Sequence, residues 1–178
     1  MRIVSWLVVI VSLGWLFAYN LWPVVGDSSL PDASTNRVAG TAVAQSQRLQ
    51  RLQPDAFARA YTEAWNSHDP GKVAAFFTSD GVITINGGKP FEGRDEVAAM
   101  ASGFMRDFPD IHLTMTGLEV QGDKLVYHWR FTGTNADTGN PVDISGSETW
   151  RLAAGGLIEK SIGRFDASDY QRQVKGDG

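Results

Sequence analysis

The order of its periodicities constrains this chain more than any single motif: stretches with helical spacing come first, and the long alternating stretches all follow Pro109. Pro54 and Asp55 suit a helix N-terminus. Phe57, Ala60, Tyr61, Ala64 and Trp65 recur at helical spacing, which predicts a helix with an aromatic stripe before the break at Asn66-Ser67-His68-Asp69. A short second helix is predicted over 72–77, turning Val73, Phe76 and Phe77 inward, and Asp80-Gly81 leads into a strand over 82–85. Asn86-Gly87-Gly88 makes a hairpin. Residues 94–108 read as a third helix with Val97, Met100, Ala101 and Phe104 inward, stopped by Pro109. Strands follow over 111–120, 124–133, 142–152 and 157–165, separated by turn-rich segments. Helices first and a meander afterwards mean an α+β domain, with three helices packed over one face of a curved antiparallel sheet that encloses a pocket.

Ahead of this domain, residues 3–22 contain no charged side chain. A helix of that length covers roughly 30 Å, the thickness of a bilayer core, so one transmembrane helix is expected, with Tyr19 and Trp22 at its interfacial end. The alternative is a cleaved secretory signal, with Arg2 as its positive region and Ala42-Val43-Ala44 as a small-residue cleavage site, although that site lies far beyond the apolar run. Arg2 precedes the run and Arg37 is the first basic residue after it, which favours a single-pass protein with its soluble domain outside the cytoplasm. Residues 26–53, rich in Gly, Ser, Asp, Asn and Gln, read as a flexible linker. The expected organisation is therefore a signal anchor over 1–25, a linker over 26–53 and a folded domain over 54–178.

The folded part carries 12 Lys and Arg against 18 Asp and Glu with no basic cluster, which argues against a nucleic-acid partner. A chain without cysteine has no disulfide framework, iron–sulfur cluster or thiol nucleophile. Three histidines and no carboxylate–histidine set at ligand spacing predict no metal, and no cofactor is implied.

Several segments, in their order and spacing, carry a resemblance. They are Tyr61-Thr62-Glu63-Ala64-Trp65-Asn66-Ser67-His68-Asp69, Phe76-Phe77-Thr78-Ser79-Asp80-Gly81, Phe91-Glu92-Gly93-Arg94-Asp95-Glu96 and Phe108-Pro109-Asp110. Arg130-Phe131-Thr132-Gly133-Thr134, Gly156-Leu157-Ile158 and Phe165-Asp166 followed by Gln171 and Gln173 complete the pattern. The domain resembles the nuclear transport factor 2-like superfamily, and within it the SnoaL-like polyketide cyclase branch. The resemblance implies a cone of helices on a curved sheet around a ligand pocket; it does not imply one reaction, because the fold hosts isomerases, cyclases, hydrolases, dehydratases and scaffolds.

Strand parity places Glu148 on the same face as Val142, Ile144, Trp150 and Leu152. A carboxyl there would have its pKa raised by burial and could donate a hydrogen bond or act as an acid; otherwise it is a rim glutamate paired with an arginine such as Arg130. Asp166 stands where SnoaL-like cyclases carry a proton-moving aspartate, although an aspartate before a helix near Ala167 also suits capping. Tyr61 matches the oxyanion-binding tyrosine of the superfamily's steroid isomerases and Glu148 their protonated acid, while their base aspartate aligns with Ile85. The catalytic candidates are thus Asp166, Glu148 and Tyr61. On strand 124–133, Leu125, Tyr127, Trp129 and Phe131 share one face and His128, Arg130 and Thr132 the other, and parity leaves open which faces the pocket. The superfamily comparison implies His128 and Arg130 inside, leaving Trp129 and Phe131 outside as a homodimer surface. Trp65, Phe77, His128, Arg130, Trp150 and Ile162, the last in place of a tryptophan of the cyclases, are the expected substrate contacts.

Two functions fit. One is a membrane-tethered, cofactor-free acid/base isomerase, cyclase or lyase, or a binder, acting on a small hydrophobic ring compound. The other is a non-catalytic assembly subunit of a cell-envelope complex, its pocket filled by Trp65, Phe77 and Trp150.

Overall fold

The computed structural model describes residues 53–177. The expected signal anchor over 1–25, and all but the last residue of the expected linker over 26–53, lie outside them. Among the described residues no helix is long and apolar enough to cross a membrane.

Helix α1 spans Pro54–Asn66 and buries Ala58, Tyr61, Thr62, Ala64 and Trp65, the inward edge of the aromatic stripe. Pro54 enters without loss, because the first turn has no use for its missing N–H. The helix ends where Asn66 turns its side-chain amide onto a strand: Leu113 N donates to Asn66 Oδ1 at 2.7 Å and Asn66 Nδ2 donates to Leu113 O at 2.9 Å. Helix α2, Pro70–Ala74, is capped by Asp69, whose Oδ1 accepts from Gly71 N and Lys72 N. It is shorter than expected, because Phe77 already belongs to strand β1, Phe77–Ile85. Asn86 and Gly87 take positive φ in the turn to β2, Phe91–Glu92, giving the predicted hairpin. Helix α3, Gly93–Asp107, turns Val97, Met100 and Ala101 inward.

Strands β3 (His112–Gln121), β4 (Lys124–Thr134), β5 (Pro141–Leu152) and β6 (Ile158–Phe165) form the predicted meander, and α4 (Ala167–Lys175) closes the chain. The sheet order is β2-β1-β6-β5-β4-β3. Its pairs are antiparallel except β1–β6, which is parallel and departs from the expected all-antiparallel sheet. The two strands lie far apart in sequence, so the long connection that a parallel pair requires is already present.

Helix α4 is tied to β5 by Gln173, which accepts from Asp143 N at 2.7 Å and donates to Asp143 O at 3.0 Å. The densest core lies between α1 and the sheet. There Tyr127 and Trp150 stack at 4.8 Å, with Tyr61 edge-on to Trp150 at 5.0 Å. Burying such rings is the main favourable term in a small domain of this kind.

Candidate functional site

Register decides what each strand turns inward. Across the β4–β5 ladder Tyr127 faces Glu148 and Leu125 faces Trp150, and directly opposed residues share a face. Glu148 and Trp150 therefore point into the domain together with Leu125, Tyr127, Trp129 and Phe131, all of them buried.

Glu148 is held from three elements. Ser161 Oγ of β6 donates to its Oε2 at 2.7 Å, Trp150 Nε1 of β5 donates to the same oxygen at 2.9 Å, and the Tyr61 hydroxyl of α1 reaches both oxygens at 3.3 Å. Oε2 is thus crowded by donors, whereas Oε1 has Tyr61 alone among the described residues. Burial raises the Glu148 pKa above its ordinary value, and the hydrogen bonds from Trp150, Ser161 and Tyr61 oppose the rise. Tyr61 is raised well above the phenol range, first by burial and then by the charge of Glu148. A proton on Glu148 belongs on Oε1, because the Trp150 N–H can only donate and already points at Oε2.

Glu148 borders a cavity. The sheet supplies Ile83, Ile85, Leu113, Trp129, Phe131 and Ile144; the helices supply Trp65, Met100 and Phe104; Gly163, Phe165 and Tyr170 close the β6–α4 end. The cavity has a volume of ≈ 60 Å³, enough for a small ligand group rather than a single water. Among the described residues that line it, Glu148 carries the only carboxyl. Ile85 borders the same space as an apolar side chain.

The depth of the cavity depends on Gly146. A Cβ there would lie 2.3 Å from Trp129 Cζ2 and 2.6 Å from Arg164 O, so only glycine lets the Trp129 indole lie flat on β5. Opposite, Gly163 bares the β6 backbone, and a Cβ there would make ordinary contacts with Ile85 Cγ1 at 3.6 Å and Glu148 Cγ at 3.8 Å.

Of the nine residues named from the sequence, Glu148 and Trp65 line the cavity. Tyr61 and Trp150 stand behind Glu148 as its donors, and Phe77 is fully buried against Tyr61 outside the lining. The inward placement expected of His128 and Arg130 is corrected. Both lie on the outer face, His128 bonded to Glu119 at 3.2 Å and Arg130 to Asp143, because the ladder turns Trp129 and Phe131 inward instead. Those two rings, on whose exposure the expectation of a homodimer rested, are buried. The same register removes Arg130 as a partner for Glu148. Ile162 is corrected likewise: Ser161 and Gly163 point inward, so Ile162 between them points outward. Asp166 is the N-cap of α4, its Oδ1 accepting from Ser168 N and Asp169 N, both at 2.9 Å, and it does not line the cavity. Ser161 was not named from the sequence; Ile158 and Ser161 are both buried although three residues apart, so simple alternation along β6 does not find it.

A raised carboxyl pKa has a stability consequence. Glu148 binds its proton more tightly folded than unfolded, so its contribution is complete below the ordinary carboxyl value of 4.5 and is lost as pH rises through the folded value. Glu148→Gln keeps the size and one accepting oxygen. It is expected to flatten the decline of unfolding free energy between acid and neutral pH, read from urea unfolding at a series of pH values. Each tenfold by which folding tightens the hold on that proton corresponds to about 1.4 kcal/mol of the decline. Equal slopes in both proteins would contradict the assignment of the proton to Glu148.

The comparisons agree with this architecture. No curated protein matches the chain. Among solved structures, a protein of ketosteroid isomerase-like fold from Catenulispora acidiphila, in complex with trimethylamine, superposes with a TM-score of 0.61 at 18% identity, covering 66% of this chain and 91% of that one. A protein from a Jannaschia species, provisionally described as a SnoaL-like polyketide cyclase, superposes at 0.59 and 18% identity, covering 84% and 98%. The epoxide hydrolase/cyclase-like enzyme SalBIII, described in pyran ring formation in the polyether salinomycin, superposes at 0.57 and 16% identity, covering 69% and 94%. At such identities these structures speak for the fold. The family model for the SnoaL-like domain matches residues 58–160, from the buried turn of α1 into β6, and the chain belongs to that family.

Proposed function

We propose that this domain holds a small hydrophobic molecule in the cavity between α1, α3 and the sheet, and exchanges a proton with it at Glu148 Oε1. The reaction class this suits is cofactor-free acid/base chemistry, an isomerisation, cyclisation or elimination on a ring compound. One observation carries the reading: a buried carboxyl, with one oxygen bound by Tyr61, Trp150 and Ser161, borders an otherwise apolar cavity. Tyr61 acts here by positioning Glu148 rather than by meeting the ligand. The Catenulispora protein, of similar fold, is described in complex with trimethylamine, which supports the binding of a molecule of modest size. The uncharged run over 3–22 supports tethering to a membrane, with the domain outside the cytoplasm. For the assembly-subunit reading a docking face is needed, and among the described residues Val120 is the only exposed large hydrophobic.

Native mass spectrometry of the purified full chain, before and after organic extraction, tests the proposal. The expected result is a bound small molecule that extraction removes and that Gly163→Val, whose side chain would enter the cavity beside Ile85 and Glu148, fails to retain. A wild-type chain that stays empty after incubation with extracts of its own cells would overturn it.

A further inference from the structure

Glu148 is buried, and among the described residues no cationic side chain pairs with it. Its neighbours Tyr61, Trp150 and Ser161 all present hydrogens to it, an arrangement that suits a carboxylate. Among the described residues, no Lys, Arg or His lines the cavity and none forms an ion pair with Glu148. Buried carboxylates are stable when a positive group sits against them, and this one borders open space where such a group would be. The remaining wall is rich in rings: Trp65, Phe104, Trp129, Phe131, Phe165 and Tyr170. Ring faces attract a desolvated cation, and they do so best when the charge is spread over methyl groups and gives up little hydration on entry. A metal ion is poorly served here, because Glu148 Oε1 already accepts from Tyr61 and the only other side-chain oxygen among the described lining residues is the Tyr170 hydroxyl.

We propose that the cavity binds a small alkylated ammonium ion, with the positive charge against Glu148 Oε1 and the alkyl groups against the rings. This rests on the cavity being a ligand site, and it names the ligand's chemical class. A tertiary amine entering uncharged takes the proton of Glu148: the Oε1–H bond breaks, an N–H bond forms, and the ion pair is left in place. A quaternary ion carries no proton, so its entry releases the Glu148 proton to solvent and its affinity rises with pH through the value of the empty site. Tyr61 from α1 and Tyr127 from β4 face Glu148, and Tyr170 from α4 lines the cavity; burial lifts all three above the phenol range. Trp150 and Ser161 do not titrate, and β1 and α3 bring only apolar side chains to the cavity. Glu148 is then the group whose proton the ligand must displace.

The test is calorimetric titration of the full chain with tetramethylammonium chloride and with tert-butanol, a neutral molecule of similar shape, at constant ionic strength. In a pH series, tetramethylammonium is expected to bind about tenfold tighter or more at the alkaline end, with the advantage shrinking towards the acid end as Glu148, whose pKa burial raises, takes up its proton. Glu148→Gln is expected to bind both ligands alike. Gly163→Val, which keeps the carboxyl, is expected to weaken both, and unchanged ammonium binding in it would put the ligand elsewhere and overturn the proposal. Equal or tighter binding of tert-butanol by the wild type would overturn the ammonium assignment and leave the cavity standing as a site for neutral ligands. Binding of neither would overturn both readings.

Discussion

Trp150→Ala is expected to lower the unfolding free energy by about 3–5 kcal/mol. The ring is fully buried, stacks on Tyr127 at 4.8 Å and meets Tyr61 and Phe57 edge-on at 5.0 and 5.7 Å. Truncation leaves a void among rings fixed by α1, β4 and β5, with little freedom to collapse into it. It also takes a donor from Glu148. Trp150→Phe separates the two contributions, since it keeps most of the packing and drops the N–H; its expected cost is about 1–3 kcal/mol. Urea unfolding at neutral pH measures both. A loss under about 1 kcal/mol for the alanine variant would mean that this cluster is not the core that holds α1 to the sheet.

Gly146→Ala is expected to cost about 1–3 kcal/mol, as overpacking does, and to close the cavity. The new methyl would stand 2.3 Å from Trp129 Cζ2 and 2.6 Å from the Arg164 carbonyl. The backbone oxygen is held in the β5–β6 ladder, so the indole must lift, and its free side is the cavity. Reduced stability together with loss of tert-butanol and tetramethylammonium binding is the expected pair of readouts. Gly155→Ala is the control: its Cβ would meet nothing within 4 Å, and a change beyond about 0.5 kcal/mol there would show that glycine replacement is costly for reasons other than contact.

Period and parity made much of this domain legible. The stripe of α1, the inward residues of α3 and the alternation of β5 were readable because each element is amphipathic, and the parity of β5 put Glu148 beside Trp150. The facing of β4 was not readable from β4 itself, where Trp129 and Phe131 alternate with His128 and Arg130. What settles it is the register with β5, and the segment from Asn135 to Asn140 that sets this register has a length from which no unique pairing follows. The superfamily comparison implied the opposite face, and burial of four large apolar side chains outweighs burial of His128 and Arg130. Ile162 was named because the resemblance puts a cyclase tryptophan there, and parity from the turn gives no independent check, since a register shift lies between Arg151 and Leu152. Asp166 shows a further limit. An aspartate preceding a helix looks the same in sequence whether or not it caps, and only its bonds to Ser168 N and Asp169 N show that this one does.

The parallel pairing of β1 with β6 bears on how the chain leaves the ribosome. Phe77–Ile85 is made early, yet apart from the two-residue β2 its sheet neighbour is Ile158–Phe165, which emerges only when the domain is almost complete. The β3–β4–β5 meander can form behind it from local contacts, while β1 and the helix before it wait for a strand not yet synthesised. Through most of translation, then, the nascent domain carries a long strand paired only with the two-residue β2 and an open aromatic core, and this interval is when it most depends on chaperones.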